Sequence, residues 1–387
     1  MKQKKVCLDG LNVLIAPDAF KGSLDSVGVA QSMARGLLMS WPNVHVDLCP
    51  MTDGGEGAIR ALSFCDEGRL MPVKVSGPYG DIIDAYYWMG DDGVAIIEMA
   101  QASGISLSAE RDPMRASSYG TGELIAAAAA QDPKAIWVAC GGSATVDGGL
   151  GALQALGWSC LDAQGGSVAP GGQGLCDLVE IRPPVHALKA PVSVLCDVTN
   201  PLLGKDGCIP IYGPQKGLRL DQFSTFENGL ASLAERLSAL GGKSAIYAAG
   251  GGAAGGLGFT LMSALRAEPR AGFDTLAQRM GLARRLACCQ LVLTGEGRLD
   301  AQTPYGKTIS GIWDLASEQA LPVWAFAGEV TAEAQVWCPQ GMAMIPVIGG
   351  PCTLGDAMQH AASNIERAVQ RTAALASTAV LFSSSSS

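Results

Sequence analysis

Along most of this chain a short run of apolar, β-type residues ends in a turn rich in glycine and aspartate, and a helical pattern follows. That recurring unit is the signature of parallel α/β folds. The first unit is the stretch NVLIAP, ending at Asp18, with Ser23 placed to cap a helix running through Val29, Met33, Gly36 and Leu37. In the second, VHVDLCPM alternates with period two before a turn at Asp53, Gly54 and Gly55. Further strands are expected at AIWVACGG, SVLCDV, QLVLTG, PVWAFAG and AMIPVIGG, with a helix over TISGIWDLASEQA.

Between about Leu70 and Met99 the alternation gives way to closely spaced strands, LMPVKVSG, DAYYWMG and VAIIEMA, joined by Gly, Pro and Asp turns. An inserted domain accounts for this, and the C-terminal strands then complete the N-terminal sheet. The expected division is 1–68 plus 288–371 as one α/β domain, 69–287 as an inserted α/β domain, and 372–387 as a disordered Ala/Ser tail. A length of 387 residues favours two domains. Hydrophobic residues at 48%, charged residues at 16% and 50 glycines suit buried parallel strands with tight turns, and exclude disorder for nearly all of the chain.

Thirty-six acidic against 27 basic residues give a formal net charge of -9, which excludes nucleic acid and anionic membrane as partners. Basic residues open the chain, but Asp9, Gly10 and Asn12 break the apolar stretch that a secretory leader needs, and no window approaches a membrane span. A cytoplasmic location is expected. The twelve cysteines include no C-x-x-C pair and mostly sit in apolar runs, as small buried hydrophobes do. His45, His186 and His360 are scattered, which gives no support for a zinc site or a His-activated nucleophile.

Acids and glycines gather at the strand ends. Asp18, Lys21 and Ser23 in APDAFKGS stand beside a helix start, where free N–H groups attract carboxylate or phosphate; a turn with a solvated lysine fits equally well. Asp53 in MTDGGEG can hold magnesium or accept a hydroxyl proton, or simply cap a glycine turn. GGSATVDGG, from Gly141, Gly142 and Ser143 to Asp147, can form a nest for phosphate oxygens. Asp197 with Thr199 and Asn200, and Glu296 with Arg298 and Asp300, add two more strand-end sites. Open α/β sheets bind ligands beyond the carboxyl ends of their strands, so the recurrence points to a cleft for a magnesium-nucleotide.

Gly250, Gly251 and Gly252 begin a formal G-x-G-x-x-G. A dinucleotide site also needs an acid at the end of a next strand roughly 20 residues on, and LMSALRAEPRAGF before Asp274 does not read as a strand. Phosphate contact and close backbone packing both remain open for this loop. Lys307 in GKT resembles the end of a Walker A loop, but DAQTPY replaces its glycines, leaving an anion contact or a solvated helix-start lysine.

Taken in order, APDAFKGSL, TDGGEG, SSYGTGELI, GGSATVDGGLGALQALG, CDVTNPLLG, YGPQKG, GGGAAGGLG and TGEGRLDAQTPYGK resemble the type-1 glycerate kinases, from about Asn12 to Gly350. The resemblance implies transfer of a phosphoryl group from ATP, with Mg²⁺, to D-glycerate. It implies a Rossmann-like domain and an inserted α/β domain with the active site between them. The 2-hydroxyl is the expected acceptor, giving 2-phosphoglycerate, with the 3-hydroxyl as the alternative. A homo-oligomer is compatible with the sequence.

Physical reasoning on the matching positions assigns Lys21 and Arg298 to the glycerate carboxylate and the phosphate, and Asp197 to the base. Asp18, Ser23 and Asn200 join Lys21 as substrate contacts. Asp53, Asp147 and Glu296 are assigned to magnesium, although the acids are interchangeable at this level. Gly141 to Ser143, Gly250 to Gly252 and Lys307 are assigned to phosphates. A non-catalytic sugar-acid binding protein and an NAD-linked oxidoreductase are the competing classes.

Overall fold

The computed structural model describes residues 10–241, 245–301, 303 and 307–385. Its strands, in chain order, are β1 (Asn12–Ile15), β2 (His45–Leu48), β3 (Gly68–Ser76), β4 (Ile82–Gly90), β5 (Val94–Glu98), β6 (Ala135–Ala139), β7 (Ser159–Leu161), β8 (Glu180–Arg182), β9 (Val192–Leu195), β10 (Glu268–Arg270), β11 (Leu291–Leu299), β12 (Val323–Val330) and β13 (Met342–Pro346). The chain forms two compact units. One comprises Met1–Asp53, Arg60–Cys65 and Phe273–Ser387, and the other Gly54–Ile59 and Asp66–Gly272. The chain returns to the first unit at Phe273 rather than at 288, because the helix Gly272–Arg279 buries Phe273 and Leu276.

The first unit is built on a five-stranded parallel sheet in the order β13-β12-β11-β1-β2. Val13, Leu14 and Ile15 are all fully buried, as expected of a strand covered on both faces. Asp25, not Ser23, caps the helix Ser26–Ser40, its carboxylate accepting the Gly28 N–H at 2.6 Å. Ser23 instead donates its hydroxyl to the Met358 carbonyl at 2.8 Å.

The helix Ser26–Ser40 packs on the helix Ala361–Ser385 through Gly36, where an added Cβ would stand 2.2 Å from the Glu366 carbonyl oxygen. Ile365, Ala368, Val369 and Ala373 complete this core, and Trp41 Nε1 donates to Ser377 Oγ at 2.8 Å. The expected disordered tail is therefore corrected, since helix continues through residues 372–385. Ala373 is a core residue there, so small side chains are what the close helix contact requires.

The second unit holds a six-stranded sheet in the order β10-β9-β6-β5-β4-β3. Strands β10, β9, β6 and β5 run parallel, and the closely spaced strands β3, β4 and β5 pair antiparallel as a meander. Strand β10 lies in the segment that the sequence did not read as a strand. Helices Tyr119–Ala129, Phe223–Ala239 and Leu257–Ala264 bury Leu124, Leu230 and Phe259 in its core. No helix among the described residues is long and apolar enough to cross a membrane.

Candidate active site

In the first unit the chain leaves β1 for β2 on one side and later runs from β11 through β12 to β13 on the other. The winding therefore reverses between β1 and β11, and an open sheet leaves a crevice at the carboxyl ends of the strands flanking such a reversal. A cavity of about 920 Å³ lies there. Asp18 follows β1, Asp53 follows β2, Glu296 and Arg298 lie toward the end of β11, Glu329 toward the end of β12, and Val347 and Ile348 follow β13; all line it. Every strand of the sheet contributes.

Asp18 is 7% exposed, and two hydrogen bonds fix its carboxylate. Oδ1 accepts the Ala19 N–H at 2.6 Å and Oδ2 the Thr308 hydroxyl at 2.8 Å. Burial pushes its pKa up to about 6, helped by the charge of Asp53, while the two hydrogen bonds and Lys21 pull the other way. Glu296 is pushed up to about 8, first by burial and then by Asp18, with Asp300 and Asp53 adding and Lys21 opposing. Lys21 is exposed, with Nζ 3.6 Å from Asp53 Oδ2, and that carboxylate leads the groups that raise its pKa. Arg298 Nε lies 3.1 Å from Glu329 Oε2 and 3.6 Å from Asp300 Oδ2.

The cavity thus brings together two carboxyls of raised proton affinity, Glu296 higher than Asp18. Groups tuned in this way are suited to moving a proton. The donors are hard carboxylate oxygens that repel one another, a set that suits a magnesium ion carrying phosphates and waters in the rest of its shell. Among the described residues no three or more His, Cys, Asp or Glu side chains close into a protein-only metal cage.

The expected site residues of the second unit behave differently. Asp147 is fully buried, and its carboxylate is consumed by hydrogen bonds. Oδ2 accepts the N–H and hydroxyl of Ser118, both at 2.7 Å, and the Gly151 N–H at 3.3 Å, while Oδ1 accepts the Gly149 N–H at 3.1 Å. Asp147 therefore ties the starts of the helices Tyr119–Ala129 and Leu150–Ala155 together. Two of the glycines from Gly250 to Gly252 donate within the fold. Gly251 donates to the Ala248 carbonyl and Gly252 to the Asn200 carbonyl, both at 3.0 Å, so these N–H groups are spent inside the protein. Asp197 Oδ1 accepts the Gly272 N–H at 2.9 Å. Asn200 donates to the Asp206 carbonyl at 2.8 Å and accepts from the Tyr212 hydroxyl at 2.6 Å.

Gly142 is exposed with φ +71°, a backbone conformation that suits glycine, and Ser143 Oγ accepts from Lys216 Nζ at 2.6 Å. The Lys307 side chain lies outside the described residues, so its anion contact is untouched by the geometry. Sequence reasoning singled out Lys307 but passed over its neighbour Thr308, which holds Asp18, and gave Lys216 no role although YGPQKG was in view. Glu329 had no signal at all: it joins the cavity because β12 pairs with β11.

The sequence profile of the glycerate kinase family matches residues 13–377. This chain belongs to the glycerate kinase family. Within it, the Glycerate kinase of Bacillus subtilis (strain 168) is 36% identical over 373 residues, covering 94% of this chain and 97% of the relative. The Glycerate 2-kinase of Escherichia coli (strain K12) is 37% identical over 376 residues, with 94% and 97% covered. A crystal structure of a Salmonella typhimurium LT2 protein described as glycerate kinase 2 superposes with a TM-score of 0.80 at 37% identity, covering 96% of this chain and 99% of that one. The α/β fold of this chain is thus shared with that structure.

Proposed function

We propose that the protein transfers the γ-phosphoryl group of ATP to the 2-hydroxyl of D-glycerate, giving 2-phosphoglycerate and ADP, with Mg²⁺ as cofactor. The observation that carries the reading is the cavity at the strand ends of the parallel sheet, with two cations and a carboxyl pair whose proton affinities straddle neutrality. Membership of the glycerate kinase family supports the substrate, and the name of the E. coli relative supports the 2-position. A cytoplasmic location, with glycerate and nucleotide as small-molecule partners, belongs to the same reading.

Asp18 serves as the base in place of Asp197, because its basicity suits neutral pH and two hydrogen bonds hold it in one orientation. The glycerate O–H bond breaks toward an Asp18 oxygen, the hydroxyl oxygen bonds to the γ-phosphorus, and the bond from that phosphorus to the β-bridging oxygen breaks with its electron pair leaving on ADP. Asp53 and Glu296 would hold magnesium, whose chemistry is to neutralise phosphate charge; Glu296 gives up its proton to do so. Lys21 and Arg298 offset the charge of the substrate carboxylate and of the transferring group. Replacing Asp18→Asn should lower kcat roughly 100- to 10,000-fold with the fold intact. Near-normal turnover by that variant would remove Asp18 from the chemistry.

A further inference from the structure

Lys216, at the end of the short 3-10 turn Pro214–Lys216, is 3% exposed. Its Nζ donates to Ser143 Oγ at 2.6 Å and to the Thr145 carbonyl at 2.8 Å, both neutral acceptors. No carboxylate among the described residues is within ion-pair distance of it. A buried ammonium without a counter-ion is costly to keep, and a third proton is left without a protein acceptor. The loop it supports carries more unmet groups. Ser143 accepts from Lys216, so its own hydroxyl proton is uncommitted, and the fully buried Thr145 Oγ1 has no partner.

Rearrangement of the loop is resisted at both sides of Ser143, since Ile105 N donates to the Gly142 carbonyl at 2.8 Å and Ala144 N to the Ser103 carbonyl at 2.9 Å. Gly142 is exposed and Ser143 just reaches the surface at 7% exposure, which gives a way in. Uncommitted donors over a buried positive charge select one kind of partner, a deprotonated oxygen.

We propose that Ser143 and Lys216, with Thr145 beside them, form an oxyanion subsite in the second unit: a ligand oxygen entering over Gly142 takes the Ser143 hydroxyl proton, and the Lys216 ammonium supplies the opposing charge. The ligand is either the phosphate tail of a nucleotide or the carboxylate of a hydroxy acid, a choice that rests on the phosphotransferase reading above. The chemistry is the same for both.

Calorimetric titration of the full chain with MgADP and, separately, with D-glycerate tests this in the wild type and in Lys216→Met, Lys216→Arg and Ser143→Ala, with thermal melting as a check on folding. Lys216→Met and Ser143→Ala should each weaken one of the two ligands at least ~10-fold. Loss confined to MgADP assigns the phosphate, and loss confined to D-glycerate assigns the carboxylate. Burial lowers the Lys216 pKa to about 8, opposed by Cys208 and Asp147, which face it; burial pushes Cys208 itself up to about 12. Wild-type affinity for that ligand should therefore fall as pH rises from about 7 to 9.5, whereas Lys216→Arg, which stays charged, should hold steady. A purely structural lysine would show no such dependence. Unchanged affinities in both variants, or no binding of either ligand by the wild type, would overturn the proposal. Lost binding in the variants alongside absent phosphoryl transfer in the wild type would instead overturn the kinase reading and leave the subsite standing.

Discussion

A carboxyl group withdrawn from water among other carboxyls binds its proton more tightly, and Glu296 shows the consequence for stability. Burial pushes it up to about 8 from the ordinary 4.5, so between those pH values the native state holds more protons than the unfolded state. The protein accordingly loses stability as pH climbs from 4.5 to 8. The neutral isostere Glu296→Gln should be more stable than wild type at pH 8 by about 1 kcal/mol or more after solvent screening, and no more stable at pH 4; melting curves at both values check this. Asp147 gives the opposite case, a carboxylate whose four hydrogen bonds all come from its own fold. Asp147→Asn puts an amide N–H against a donor and should cost on the order of 2 kcal/mol, seen as a lower thermal midpoint with or without Mg²⁺. A metal ligand would instead leave metal-free stability nearly unchanged.

At the scale of elements, the close contact of the helices Ser26–Ser40 and Ala361–Ser385 rests on a missing methyl group. Gly36→Ala would drive its Cβ against the Glu366 carbonyl and should destabilise the protein by roughly 1–3 kcal/mol, measured by denaturant unfolding, although alanine is the better helix former. The strands were legible wherever burial wrote a mostly apolar run, as in Val13–Ile15 of β1, in β6 and in β9, where Ser193 is the one polar residue. Strand β10 was not, because Glu-Pro-Arg is exposed and polar; it can be a strand only as the sheet edge, where proline needs no ladder partner on one side. The Ala/Ser-rich end misled in the other direction. Low complexity suggested disorder, yet Ala373 is buried in the core of the first unit and Ser377 Oγ accepts from Trp41 Nε1.

For the whole molecule, the sequence showed that acids stand at strand ends but not which of them meet. That depends on strand order, which no spacing along the chain records. Asp18 and Glu296 share a cavity because β1 pairs in parallel with β11, Val13 opposite Leu291, and because the winding reverses at that pair. Asp147 looked the same in sequence, yet its carboxylate accepts four hydrogen bonds that tie two helix starts together. Phosphoryl transfer to glycerate on this fold is read out directly by ³¹P NMR of the purified protein with D-glycerate, ATP and Mg²⁺. The ATP γ-phosphate signal should fall as the signal of the 2-phosphoglycerate ester grows; that outcome supports transfer. An unchanged ATP spectrum, or hydrolysis to inorganic phosphate without any ester, would contradict it.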